Sequence, residues 1–157
     1  MPAREQQLYG TSHFRVLIGK LELGFAEVGP LSSATDVTVP PEERPHCFET
    51  IVLRRALSQS TELYDWRRNI LRGKADRRAV TIHQLGSAGG EIVNSWRLDG
   101  AWPCRWTGPS FNASANDVAI EELELAYEEL VWVQPERPPK RSPARTTTKG
   151  ASDGRTP

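Results

Sequence analysis

Residues 79–98 read AVTIHQLGSAGGEIVNSWRL. Two apolar runs, Ala79 to Leu85 and Glu91 to Leu98, flank the Gly-rich loop GSAGG at 86–90. Runs of this length on either side of a five-residue glycine loop predict a β-hairpin. A phosphate-cradling reading of the same glycines would need a helix to follow, with Lys and Ser/Thr in place. Glu91-Ile92-Val93-Asn94-Ser95-Trp96 follows instead, and it has the character of a strand.

Working outward, the sequence stays strand-rich. His13-Phe14-Arg15-Val16-Leu17-Ile18 is apolar and β-branched and is closed by Gly19-Lys20. Leu21-Glu22-Leu23 then alternates, and Phe25 and Val28 follow. This predicts a first hairpin turning near Gly19. Residues 48–54, FETIVLR, form another strand with Phe48, Thr50 and Val52 facing one way.

One helix is signalled between these strands. Ser60 can cap it, and Glu62 and Asp65 lie in the first turns, where carboxylates favour the dipole. Leu63, Trp66, Ile70 and Leu71 make one apolar stripe, which predicts Trp66 facing inward. Arg67, Arg68 and Arg72 load the C-terminal half, and Gly73 suits the position just after it. Residues 117–133 fit two templates. Ile120, Leu123, Tyr127, Leu130 and Val131 form a helical stripe, whereas Leu123, Leu125 and Tyr127 also alternate as in a strand if a bulge absorbs Glu121-Glu122. Local propensity leans towards helix.

The 157 residues suffice for one domain. Composition changes near Gln134, and residues 135–157 contain no aromatic, Val, Ile or Leu. Such a segment cannot offset its ordering entropy by apolar burial, so a β domain over 1–134 and a disordered, basic, Pro-rich tail over 135–157 are expected. Formal net charge is zero, but the tail holds six basic and two acidic residues (+4), leaving 14 against 18 in the body (−4). The tail reads as a solvated end or as a tether to an acidic partner. The balanced charge argues against a chain built to coat nucleic acid. No apolar run approaches the roughly 20 residues of a membrane span. The polar start Met1 to Gln7 has no signal-peptide core, so a cytosolic protein is expected.

Chemistry is sparsely signalled. His13, His46 and His83 are isolated, and Cys47 and Cys104 lack the paired spacing of a zinc site or disulfide framework. No nucleophile-elbow, metalloprotease or Walker pattern occurs. We therefore assign no catalytic, cofactor-binding or metal residue. A cysteine hydrolase using Cys104 and His83 is the enzyme alternative. The acidic run Glu121, Glu122, Glu124, Glu128 and Glu129 reads as a solvated face. The five tryptophans read as packing. Trp102, Arg105 and Trp106 are the nearest approach to a stacking platform, which would make the chain a monomeric β-rich ligand-binding module.

Several stretches in order resemble a known family. These are GFAEVG at 24–29, LRR at 53–55 ahead of a Trp-containing helix, WRLDGAWPCRWTGPSFNA at 96–113 and NDVAIEELELAYEEL at 116–130. Together they resemble the tail-tube proteins of contractile phages and of the related extracellular contractile injection systems, over about Phe14 to Trp132. The resemblance implies two antiparallel sheets in a barrel-like sandwich with one flanking α-helix. It implies that Val118 to Tyr127 is a strand rather than a helix. It implies hexameric rings that stack into a hollow tube, with tube paralogues, sheath and baseplate or spike proteins as partners and effector cargo in the lumen. It implies no enzyme activity, membrane or specific nucleic acid. Assembly is then cytoplasmic, with the particle retained or released. The link from Gly29 to Cys47 is short for the family and holds Pro30, Pro40, Pro41 and Pro45. Proline cannot donate to a strand ladder, so a long hairpin is disfavoured there. Main tube and tube-to-baseplate adaptor both remain open.

Overall fold

The structure, a computed structural model, describes residues 10–34, 38, 40, 49–87 and 90–134. Its elements are β1 (Phe14–Ile18), β2 (Leu21–Leu23), β3 (Glu27–Gly29), β4 (Glu49–Ala56), α1 (Glu62–Leu71), β5 (Arg78–Leu85), β6 (Ile92–Thr107), β7 (Ile120–Tyr127) and β8 (Glu129–Val133). Expectations for Met1 to Gln7, His46, Cys47, Phe48 and the 135–157 tail fall outside the described residues.

All pairings are antiparallel, in the order β2-β1-β5-β6-β7-β4-β3, with β8 also on β6. The hairpin read from residues 79–98 is β5 with the first half of β6, registered as His83↔Ser95 and Gln84↔Asn94. The 16-residue β6 is the hinge of the architecture. Its first half pairs with β5 and β8, and its second half with β7. One sheet is therefore β2-β1-β5-β6-β8 and the other β6-β7-β4-β3. The chain crosses between them at Gly100 on β6, at Glu128 between β7 and β8, and at 24–26 between β2 and β3. Gly100 has φ 64°, and a Cβ there would lie 2.8 Å from Glu128 Cδ, so the β6 corner needs glycine. The sandwich expected from the resemblance is what forms.

The core lies between the sheets: Val16 and Ile18, Ile51 and Leu53, Val80 and Ile82, Leu98 and Ala101, and Leu123, Leu125 and Tyr127. Thr50 and Val52 face away from it, on the side the alternation gave them. The helical option for 117–133 is overturned by partners. β7 registers continuously with β4 from Ala56↔Ile120 to Glu49↔Tyr127, so every second residue reaches the core. The strand begins at Ile120, and the chain continues as β8. No bulge interrupts β7 against β4; the register shift lies on β6, between Pro103 and Arg105.

Three readings of local sequence need correction. Glu121 is not part of a solvated face but is 2% exposed, because its position in the β7 alternation points inward. The α1 N-cap is Thr61, not Ser60, and its Oγ1 donates to Asp65 Oδ2 (2.9 Å) rather than capping the backbone. The helix begins one residue later than Ser60 capping requires. Leu71 is 67% exposed, so the buried stripe is Leu63 and Trp66, with Ile70 at its margin. Trp66 is fully inward, as its stripe demanded. Its Nε1 donates to the Asp76 carbonyl (2.7 Å).

Candidate assembly surface

A strand with one neighbour presents a row of unpaired backbone groups, and the fold must cover or use each such row. Among the described residues four edges qualify: β2, β3, β8 and the second half of β6.

The β6 edge is closed off. Pro103 has no N–H to offer, and its carbonyl accepts from Arg67 Nη1 on α1 (3.1 Å). Tyr64 of α1 packs edge-on against Trp106, with ring centroids 5.1 Å apart. The helix therefore serves as a cover for this edge. It is held in turn by a buried cluster. Arg55 Nε donates to Glu121 Oε1 at 2.5 Å, and Trp106 Nε1 donates to Glu121 Oε2 at 3.0 Å. The Arg55 guanidinium lies 5.9 Å from the Phe25 ring centre and 4.0 Å from Glu62 at the start of α1. A buried carboxylate is tolerated only when its oxygens are satisfied, and both are.

The β8 edge is left open, and it is apolar. Val131, Trp132 and Val133 close β8, with Trp132 59% exposed. Trp132 stacks on Trp96 (5.6 Å) and donates its Nε1 to Asn94 Oδ1 (3.1 Å), which fixes the strand without covering it. At the other border of the same sheet lies the three-residue β2, with Leu21 exposed. Among the described residues, the sheet β2-β1-β5-β6-β8 thus has an unpaired strand at each end. Its face away from the core carries Arg15, Thr81, His83, Ser95 and Arg97, by the alternation that buries Val16, Val80, Ile82 and Leu98.

The candidate chemistry read from the sequence is not brought together. Cys104 Sγ donates to the Glu124 carbonyl (3.4 Å), whereas His83 Nδ1 meets Ser95 Oγ (2.6 Å) in the other sheet. Burial, reinforced by Glu124, pushes the Cys104 thiol up, which leaves little thiolate for a nucleophile. Trp102 and Trp106 do not form one platform. The bulge between them puts Trp102 opposite Ala126 and Trp106 opposite the core residue Leu123. Sequence reasoning named neither the Arg55–Glu121 pair nor the β8 edge. The alternation of β7 was the signal for the first, and the apolar ELVWV at 129–133 for the second.

An antiparallel sandwich with one covered edge and, among the described residues, a sheet open at both borders is a plan suited to self-association. The family model described as T4-like virus tail tube protein gp19 matches residues 10–131, and the chain belongs to that family. A chain in the cryo-EM structure of the PVC sheath–tube complex, an extracellular contractile injection system in the extended state, superposes with TM-score 0.70 at 25% identity. That match covers 83% of this chain and 95% of that one. A chain from the PVC sheath/tube terminator gives 0.69 at 26% identity, over 83% and 99%. The tube-terminating cap of the anti-feeding prophage shares the fold at 22% identity, with TM-score 0.74 over 86% and 97%. No curated protein matches the sequence.

Proposed function

We propose that this chain is a structural subunit of the inner tube of a phage tail-like contractile injection system, or the adaptor that joins that tube to its baseplate. The observation that carries the reading is the sheet open at β2 and β8 in a member of the tail tube family. Joining β8 of one copy to β2 of the next pairs both rows of backbone groups and repeats by rotation, so a hexamer closes the ring. The face bearing Arg15, Thr81, His83 and Arg97 then lines the lumen, because the other face of that sheet packs on the second sheet. Stacked rings make a passage for cargo, with sheath and baseplate proteins as outer partners. Assembly in the cytoplasm precedes any release of the particle. The work is binding and mechanics, with no residue assigned a chemical step.

The test is negative-stain microscopy and mass measurement of the purified chain and of a Leu21→Lys/Val133→Lys variant. Lysine on an edge strand opposes pairing without disturbing the buried face. Wild type is expected as six-membered rings and the variant as folded monomers. Rings persisting in the variant would refute joining through these borders. A wild type that stays monomeric beside sheath and baseplate proteins would refute the tube reading. Tagged copies seen along the whole tube, or only at one end, separate main tube from adaptor.

A further inference from the structure

Strand order in the first sheet fixes the direction in which copies can join. From β2 to β8 the sheet passes through four pairings, β2–β1, β1–β5, β5–β6 and β6–β8, and each is antiparallel. Four reversals leave β2 and β8 running the same way. Rotation about a ring axis does not reverse a strand, so β8 of one copy meets β2 of the next in parallel. Within one chain a parallel pair needs a long crossover connection, but between two chains it needs none. A two-fold dimer would instead join like to like, β8 to β8 or β2 to β2.

Side chains at the two borders then select the register. Leu21 is level with Ile18, Leu23 with Val16 and Leu130 with Leu98, so all three lie on the core side of the sheet. Trp132, level with Trp96, lies on that side too. A continuous sheet keeps Leu21 and Leu23 on the side of Leu130 and Trp132. Three alignments do so with at least two residues of β2 paired. Leu23 beside Leu130 sets Glu22 against Glu129, and like charges side by side repel. Leu21 beside Trp132 runs Leu23 past Val133, where β8 ends. Leu21 beside Leu130 pairs all of β2, with Glu22 on Val131 and Leu23 on Trp132. It also brings Lys20, exposed in the turn before β2, beside the exposed Glu129. The same step covers the apolar side chains most exposed on the core side of the two borders, Leu21 (47%) and Trp132 (59%).

We infer that β8 of one copy and β2 of the next form a parallel seam, with Leu21 beside Leu130, Glu22 beside Val131, Leu23 beside Trp132 and Lys20 against Glu129. The inference rests on the tube reading above and gives its joint a direction and a register. A parallel ladder is slightly less stable per residue than the antiparallel ladders within the subunit. The leucines and Trp132 beneath the seam, and the Lys20–Glu129 pair at its start, supply what that short ladder lacks.

The test uses the full chain with Cys47→Ser and Cys104→Ser, and mild oxidation of assembled rings. Each variant is checked for native circular dichroism. Lys20→Cys/Glu129→Cys, and separately Glu22→Cys/Val131→Cys, are expected to give disulfide-linked chains up to the size of the whole ring on a non-reducing gel. Neighbouring strands lie about 4.8 Å apart, within disulfide reach, whereas the two borders of one copy are four strand spacings, roughly 19 Å, apart. Lys20→Cys/Val133→Cys, the pair that an antiparallel seam would bring together, is expected to stay monomeric on the gel. In an uncrosslinked assay at low salt, Lys20→Glu should raise the concentration needed for half-maximal assembly by roughly threefold or more, and adding Glu129→Lys should restore it. Rings that cross-link through Lys20→Cys/Val133→Cys, or through neither Lys20 pair, overturn the inference and leave the tube reading standing. Failure of Glu129→Lys to rescue Lys20→Glu overturns the register. A wild type that forms no rings overturns the tube reading, and the seam with it.

Discussion

Asp76 shows how one side chain ties a helix to a sheet. Its carboxylate accepts from Arg78 at both oxygens (2.9 Å each) and from Asn69 Nδ2 on α1 (2.9 Å). The Arg78 guanidinium also lies 4.8 Å from the centre of the Trp66 ring. The hydrogen bonds from Arg78 hold the Asp76 carboxyl below the usual carboxylate range. A carboxyl depressed on folding contributes stability that is full above its unfolded value, about 3.9, and is lost as pH falls through the folded value. Wild type should therefore lose stability below about pH 4 more steeply than Asp76→Asn. The two curves should converge at the lowest pH in urea titrations. An Asp76→Asn profile parallel to wild type would remove this role. Trp66 was legible at this scale, because a large apolar residue on a helical stripe has one sensible destination. Glu121 was not. Its burial depends on Arg55 and Trp106, which come from other strands and are invisible to a local reading of five acids in nine residues.

At the scale of elements, ends were set by backbone geometry and strands by partners. α1 finishes as its sequence says. Gly73 has φ 80°, its N–H bonds to the Ile70 carbonyl (3.0 Å), and Lys74 N–H bonds to the Asn69 carbonyl (3.0 Å). This paired closure requires a left-handed residue, so Gly73→Ala should cost roughly 1 kcal/mol, read as a lower urea midpoint at unchanged slope. A midpoint within error of wild type would show that the helix end tolerates another closure. The start of α1 was less legible, since Ser60 and Thr61 are adjacent and either residue type can cap a helix. β7 was legible only through the family resemblance. Glu and Leu favour helix locally, and the strand is imposed by eight residue pairs with β4 and five with β6. The long run of β6 through its corner was hidden for a related reason. Asp99-Gly100 reads as a turn signal, yet Glu128 N–H bonds to the Asp99 carbonyl (2.9 Å) and carries the ladder past it. Arg77 adds an ion pair to Glu128 at the same corner.

At the scale of the whole molecule, the core cluster of the described residues lies before Gln134, and 135–157 hold no aromatic, Val, Ile or Leu with which to extend it. A chain ending at Gln134 should therefore keep the wild-type circular dichroism and urea midpoint within about 0.5 kcal/mol. Loss of the cooperative transition would show that residues 135–157 belong to the domain. The sandwich came through the family resemblance, whereas the two hairpins were recoverable from strand alternation and turn chemistry, because both are local. Which borders stay open was not. That depends on where α1 lies down, and the helix settles on β6 through Arg67, Tyr64 and Trp106 rather than through any motif.

That placement of the helix gives the subunit a polarity. Newcomers can dock at the two borders of the first sheet, β2 and β8, whereas the β6 border of the second sheet is shuttered by the subunit's own helix. Growth then follows a single path, and crowded subunits are kept from zipping into stray ribbons. It also suggests how growth ends. A relative that keeps the shutter but lacks the last strand would accept a neighbour on one flank, offer nothing on the other, and so mark a boundary in the particle.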